Sequence, residues 1–216
     1  MTSTLNSLYL KTLIARLKLV ILSPKDAWKT IAHDQDAPIQ ILTKTLLPLV
    51  CASIVANVAG LQVFGQHVPF FGVWRPGLFS SLINQILIGV TTISVFFIDA
   101  LVIEKLAPHF RRAISYDKAF SVVAHSSLPG FLVGIVGIFP QLSTIILVSL
   151  VAALYSFLLF FYGLEEMAPS ESAASEGSRY TFFGVALGSV IALNAIVHFL
   201  IPTIAPTPFP DVGRLN

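Results

Sequence analysis

The sequence contains little charge. Only 11% of its 216 residues are Asp, Glu, Lys or Arg, less than half of the share of about 25% in an average soluble domain. Hydrophobic residues make up 55% of the chain, and the mean hydropathy is +0.83. This composition excludes an ordinary soluble domain, and a net charge of only +2 argues against a nucleic-acid partner. The lipid bilayer is the expected environment.

The sequence also lacks the short motifs that carry chemistry. Its single cysteine, Cys51, excludes a disulfide or a cysteine-based metal site within one chain. It has no Gly-rich phosphate loop, no His-Glu-x-x-His zinc motif and no Gly-x-Ser-x-Gly nucleophile turn. We therefore expect no enzyme activity, no metal and no cofactor. A reactive pair assembled from different membrane spans is the alternative that this pattern leaves open.

Long apolar runs are what the sequence does contain. About 20 apolar residues are needed to cross the hydrocarbon core, and five stretches meet that length. They are residues 45–63, 78–100, 119–140, 142–163 and 182–202. The fold class predicted is all-α, a polytopic membrane protein with five transmembrane helices in a compact bundle. This divides the chain into an N-terminal segment 1–44, a membrane domain 45–202 and a tail 203–216.

The distribution of Lys and Arg predicts the orientation of the bundle. If the five stretches cross the membrane, the segments on one side of it contain eleven basic residues and those on the other side contain two. The eleven are Lys11, Arg16, Lys18, Lys25, Lys29, Lys44, Lys105, Arg111, Arg112, Lys118 and Arg179, and the two are Arg75 and Arg214. Because basic loops stay in the cytoplasm, the N-terminus is predicted to be cytoplasmic and the C-terminus outside, in a bacterial-type inner membrane.

The N-terminal segment is predicted to lie on the membrane surface. On a helix over residues 5–22, Lys11 and Lys18 share one stripe amid Leu, Ile and Val, with Arg16 as an exception. Ser23 and Pro24 can begin a second short helix, on which Trp28 suits the headgroup zone. The candidate contacts with the membrane surface or a protein partner are therefore Lys11, Arg16, Lys18 and Trp28.

The third span carries a histidine four residues before a proline. Pro129 has no N–H to offer the carbonyl of His125, so the helix is expected to kink between them. Tyr155 of the fourth span falls at a similar depth and is the first candidate partner for the imidazole. A structural hydrogen bond is favoured for His125, and a titrating or ligand-binding role is the alternative.

Two further polar residues complete a candidate intramembrane site. Asn194 lies near the middle of the fifth span, where a hydrogen bond between helices is the usual role. Asp99 lies at the cytoplasmic end of the second span, close to Glu104 and Lys105, so an interfacial charge is favoured over an intramembrane one. Small residues repeat every four positions, as at Gly184 and Gly188, and allow close packing within the bundle or in a homo-oligomer.

The order of these features resembles the YIP domain family in its bacterial branch. The resemblance rests on Pro24, Trp28, Ile31 and Asp34 in one segment, on Leu47-Pro48, on Ser127-Leu-Pro-Gly130 and on the stretch from Tyr155 to Leu164. It implies five spans and a cytoplasmic N-terminus. Eukaryotic members bind Rab-type GTPases, but their Asp-Leu-Tyr-Gly-Pro stretch has no counterpart here, so the resemblance does not imply Rab binding.

The functional hypothesis is accordingly a noncatalytic one. The chain is expected to act as a membrane-organising or partner-binding module, with the lipid bilayer and a membrane or cytoplasmic protein as partners. The alternative is a small-solute or proton pathway through the bundle, which uses the polar residues around the kinked third span.

Overall fold

The computed structural model describes residues 2–34, 36–68, 72–139, 142–169 and 176–204. Helices dominate, and they follow one another in the order of the predicted segments. The helices are α1 (Thr2–Leu22), α2 (Pro24–Asp34), α3 (Pro38–Ile41), α4 (Leu47–Val63), α5 (Leu78–Leu106), α6 (Tyr116–Ser126), α7 (Leu128–Val136), α8 (Leu142–Met167) and α9 (Glu176–Ile204). A π-helical turn, Leu42–Leu46, joins α3 to α4, and a 3-10 turn, Ala107–Phe110, follows α5.

Five helical segments are long and apolar enough to cross a membrane. They are Pro38–Val63, Leu78–Phe110, Tyr116–Val136, Ile145–Met167 and Gly177–Val197. Large apolar side chains such as Val55, Val90, Leu147 and Ile196 are exposed along them. Contiguous apolar surface of this kind indicates contact with a membrane, because its exposure to water is unfavourable. The prediction of an all-α protein with five spans is confirmed.

The connections between the helices are short. Between α4 and α5, strands β1 (Gln66–Val68) and β2 (Gly72–Trp74) pair in antiparallel fashion, with Gln66 opposite Trp74. Between α7 and α8 the chain turns through Gly137–Phe139, so the third span ends at Val136, earlier than the predicted residue 140. Pro140 itself, and the tail from residue 205 onwards, lie outside the described residues.

The third span is interrupted where the proline predicts it. Helix α6 ends at Ser126 and α7 begins at Leu128, so the break lies between His125 and Pro129. The hydroxyl of Ser127 donates to the carbonyl of Val123 at 2.8 Å and supplies a hydrogen bond within the interrupted segment. Lipid could not satisfy backbone groups at such a break, so an internal partner is needed. The helix is therefore interrupted at the position where the kink is predicted.

The core of the bundle lies at one end, where α1 and α2 pack against the spans. Its largest buried side chains are Trp28 of α2, Phe120 of α6 and Phe182 of α9, joined by Leu159 of α8 and Ile103 of α5. Only 17% of the fourth span and 11% of the fifth are buried within the protein. The N-terminal helices therefore complete the core at the end of the bundle where His125 is buried.

Candidate functional site

His125 is enclosed at the end of α6. Its side chain is 1% exposed, and its Nδ1 lies 2.9 Å from the carbonyl oxygen of Ser121 and 3.2 Å from the Ser121 hydroxyl. Because a carbonyl only accepts hydrogen bonds, Nδ1 carries the proton in the neutral ring and Nε2 is an acceptor. Among the residues that the structure describes, this Nε2 has no hydrogen-bond partner. The imidazole is thus fixed through Nδ1, and its buried Nε2 is left without a hydrogen-bond partner among the described residues.

Trp28 closes the pocket of His125 from the side of α2. The two rings meet edge to face, with their centroids 6.2 Å apart. Space for the indole exists because residue 163 of α8 is glycine: a Cβ there would lie 2.6 Å from Cζ2 of Trp28. Trp28 is only 1% exposed. The prediction that it contacts the headgroup zone is wrong, because this long-range contact buries the indole inside the protein.

Tyr155 binds the N-terminal helix instead of His125. Its hydroxyl lies 2.7 Å from the carbonyl oxygen of Ile21 and 3.1 Å from that of Val20, to which it can donate. These carbonyls lie in the last turn of α1, where the helix itself offers no N–H partner. The predicted pairing of Tyr155 with His125 is therefore wrong. The phenol holds the end of α1 against the fourth span.

Asp99 and Asn194 form a second polar group, in which Asp99 is buried and Asn194 is partly buried. The Asn194 side-chain amide donates from Nδ2 to Oδ2 of Asp99 at 3.3 Å and to the carbonyl of Val190 at 2.8 Å, which joins the second span to the fifth. Asp99 is 1% exposed. Asp99 is therefore enclosed within the protein, because α9 covers this face of α5, and its placement at the membrane interface stays a prediction. A carboxyl group enclosed between spans is costly, which makes Asp99 a candidate functional residue.

The two candidate surface lysines are exposed, whereas the candidate arginine is ion-paired within the protein. Arg16 forms an ion pair with Asp34 and a second with Asp36 at 3.1 Å, and Lys44 approaches Asp36 at 3.6 Å. These pairs tie α1 to the end of α2 and to the start of the first span. Lys11 and Lys18 are exposed. Arg16 is therefore a structural residue, and the lysines are the groups that can meet lipid or a partner.

A polar cavity of about 220 Å³ approaches the His125 pocket. Its polar lining residues come from α6 and from the segments around it, and they include Asp36, Ser115, Asp117, Lys118 and Ser121. Ser121 also contacts the imidazole, so the cavity ends one residue away from His125. This arrangement can admit water or a small polar solute to the neighbourhood of the histidine.

The candidate residues thus belong to separate places in the bundle. His125 lies beside Trp28 above the Pro129 break, Asp99 pairs with Asn194, and Tyr155 anchors α1. In the described part of the chain, no group of three or more His, Cys, Asp or Glu is arranged to hold a metal ion. Sequence reasoning missed Gly163, because no local signal distinguishes a glycine that receives an indole from any other glycine.

Comparison with known proteins assigns the family. The family model described as Yip1 domain matches residues 18–193, more than half of the chain. No curated protein and no solved structure matches the sequence. The matched region runs from the end of α1 through most of α9 and includes Trp28, Asp99 and His125. This membrane protein therefore belongs to the Yip1 domain family.

Proposed function

We propose that the chain is a noncatalytic module of a bacterial-type cytoplasmic membrane, which gathers acidic lipids or a protein partner around its N-terminal helix. The observation that carries the proposal is one exposed stripe along α1. Ile14, Ile21 and Leu22 are exposed on this helix together with Lys11 and Lys18. At 100° per residue these five positions fall within a single sector of the helix, opposite the buried Leu13 and Val20.

Such a stripe has the chemistry of a helix that lies in the membrane interface. Large apolar side chains enter the boundary of the acyl chains, and the lysines attract anionic headgroups at about 1 kcal/mol each near the surface. The remaining faces of α1 are fixed to the protein by the Tyr155 hydroxyl and by the ion pairs of Arg16. A rigid base of this kind keeps the stripe in place, so little ordering entropy opposes each binding event.

The proposed orientation places this stripe at the cytoplasmic leaflet. The support is the excess of Lys and Arg in the N-terminal segment and in the loops at the same end of the spans. Anionic lipids at the cytoplasmic leaflet provide the surface potential that these basic residues would follow.

The experiment measures which lipids surround α1 in the intact protein. A donor fluorophore at Leu22→Cys, in a Cys51→Ser background, is paired in nanodiscs with acceptor-labelled phosphatidylglycerol or acceptor-labelled phosphatidylcholine. We expect more energy transfer to phosphatidylglycerol, and the K11Q/K18Q variant should lose most of that excess because two attractions of about 1 kcal/mol each disappear. High salt should weaken the excess in the same way.

The matched control is Lys29→Gln, which removes an exposed lysine of α2 outside the stripe. It should leave the preference for phosphatidylglycerol nearly unchanged. An equal transfer to both lipids in the unmodified protein, or an excess that survives K11Q/K18Q at low salt, would refute the lipid-gathering role.

A second candidate function is a proton or small-solute pathway through the bundle. The observation that favours it is the polar cavity that ends at Ser121, next to an imidazole whose Nε2 has no partner among the described residues. The Asp99–Asn194 pair offers a further polar position between spans. Intramembrane ionisable groups of this kind are typical of proton relays.

Proteoliposomes loaded with a pH-sensitive dye distinguish this pathway from structural hydrogen bonding. If protons pass through the bundle at His125, His125→Ala lowers proton flux while the melting temperature stays close to that of the unmodified protein. His109→Ala serves as the control, because His109 is exposed at the end of the second span. If His125→Ala lowers only the melting temperature, the histidine holds the bundle together and transports nothing.

A further inference from the structure

A wide basic groove lies where the second span passes into the third. The groove has a volume of about 870 Å³, and four of its lining residues are basic: Lys105, Arg111, Arg112 and Lys118. One acidic residue, Glu104, also lines it, and its carboxylate lies 3.9 Å from Nζ of Lys105. The excess of positive charge on this surface favours an anion with more than one negative charge.

Arg112 provides a buried donor in this groove. It is 8% exposed, it donates from Nη1 to the carbonyl of Ala168 at 2.6 Å, and its guanidinium lies over the ring of Phe182. Among the described residues its Nε has no hydrogen-bond partner. Glu165, whose charge acts on Arg112, is already paired with Arg179. Burial lowers the pKa of Arg112, so an anion in the groove would relieve the cost of keeping this charge.

The neighbouring Arg111 is held in an unusual backbone conformation. Its φ is 56°, in the left-handed region, directly after the 3-10 turn that ends α5. Its N–H bonds to the carbonyl of Pro108 at 3.1 Å, which closes that turn. A non-glycine residue in this region is strained, and such strain is found most often at binding sites. The turn brings two consecutive arginines to one groove.

The groove also borders the start of a helix. Ser115, at the N-cap of α6, lines it, and the first N–H groups of that helix have no partner within the helix. The positive end of the helix dipole adds to the field of the side chains. Asp117 in the first turn lines the neighbouring cavity as well as sharing this helix end, so it reduces the field in part.

We propose that this groove is a binding site for a phosphate group that carries two negative charges, either on a phospholipid headgroup or on a soluble phosphate compound. Guanidinium groups match phosphate oxygens with paired, charge-assisted hydrogen bonds, which lysine cannot form in the same geometry. The membrane spans end at Phe110 and restart at Tyr116, on either side of the arginines. The groove therefore lies at the depth of the lipid headgroups, and it is separate from the stripe on α1.

The test uses the whole 216-residue chain in phosphatidylcholine nanodiscs. Phosphatidic acid as a guest lipid is counted by native mass spectrometry, and pyrophosphate in solution is titrated by calorimetry. The decisive variant is Arg111→Gly, since glycine adopts a positive φ at no steric cost and removes the guanidinium without disturbing the turn. We expect Arg111→Gly to weaken binding about fivefold or more, as the loss of a charge-assisted contact implies.

Three controls keep the outcome specific. Arg111→Lys should retain part of the affinity through its charge, and Lys29→Gln should retain all of it. In the K11Q/K18Q background, which loses the lipid held by the stripe on α1, Arg111→Gly should have the same effect. Retention of phosphatidic acid alone identifies a lipid headgroup as the ligand, and binding of pyrophosphate alone identifies a soluble phosphate compound. Either result, lost in Arg111→Gly, supports the site. Binding of neither probe, or equal binding by Arg111→Gly and the unmodified protein, overturns it.

Discussion

The contact between Trp28 and Gly163 makes a sharp prediction for protein stability. A Cβ at position 163 would lie 2.6, 2.8 and 3.0 Å from three atoms of the indole ring, whereas ordinary contact begins at 3.4 Å. The ring would have to move by roughly 1 Å, the order of displacement that overpacked cores force on their side chains. The indole of Trp28 is 1% exposed and also meets the ring of His125 edge to face, so little free space is available to it.

Two opposing effects set the magnitude for Gly163→Ala. Alanine favours the helix over glycine by about 1 kcal/mol, and overpacking a closed core costs about 1–3 kcal/mol. We therefore expect a net loss of about 1 kcal/mol in the free energy of unfolding. The control is Gly184→Ala in α9, where a Cβ would have no neighbour within 4 Å in the described part of the chain. There only the helix preference acts, so stability should rise by about 0.5–1 kcal/mol.

Reversible unfolding in mixed micelles, followed by circular dichroism, measures both variants. The two substitutions are chemically identical, so any common effect of the micelle cancels between them. If Gly163→Ala proves as stabilising as Gly184→Ala, the indole does not occupy the space beside residue 163. The docking of α2 on the fourth span would then be incorrect.

Three further substitutions, with Lys18→Gln as a control for one of them, test the contacts that hold the bundle together. Tyr155→Phe removes the hydroxyl that binds the end of α1, which should cost about 1 kcal/mol and speed limited proteolysis of the N-terminal segment. Asn57→Ala removes the 2.8 Å hydrogen bond from Nδ2 to the carbonyl of Gly134 between the first and third spans. It should lower the free energy of unfolding by about 0.6–2 kcal/mol, and thereby the melting temperature. Arg16→Gln should destabilise the protein in thermal unfolding, whereas Lys18→Gln should not, because among the described residues the arginine is ion-paired and Lys18 is exposed. Equal melting temperatures for these two variants would contradict the assigned roles.

The features that the sequence predicts correctly depend on local physics. The length of an apolar run determines whether a helix can cross the membrane, and five such runs became five helical spans. A proline without an N–H breaks the helix at its own position, so the interruption between His125 and Pro129 could be predicted from one turn of sequence.

The errors concern contacts between distant parts of the chain. Depth along a span places Tyr155 level with His125, but depth does not specify which face of α8 carries the phenol, and that face meets α1. Trp28 is amphipathic and would suit the headgroup zone. What buries it instead is the space left by a glycine 135 positions later, which the sequence around Trp28 does not reveal. Asp99 lies near the end of its helix, and only the path of α9 shows that it is covered. Periodicity and composition carry no information about these pairings.

The proposed function requires that the exposed stripe of α1 lies in the membrane interface. Spin labels at Leu22→Cys and, separately, at Lys29→Cys, in a Cys51→Ser background in anionic nanodiscs, test it most directly. Collision rates with oxygen, which concentrates in lipid, and with a water-soluble nickel chelate report the depth of each label. We predict that the Leu22 label favours oxygen and the Lys29 label favours the chelate, because one site faces acyl chains and the other faces water. Equal, water-like collision rates at both sites would contradict the claim.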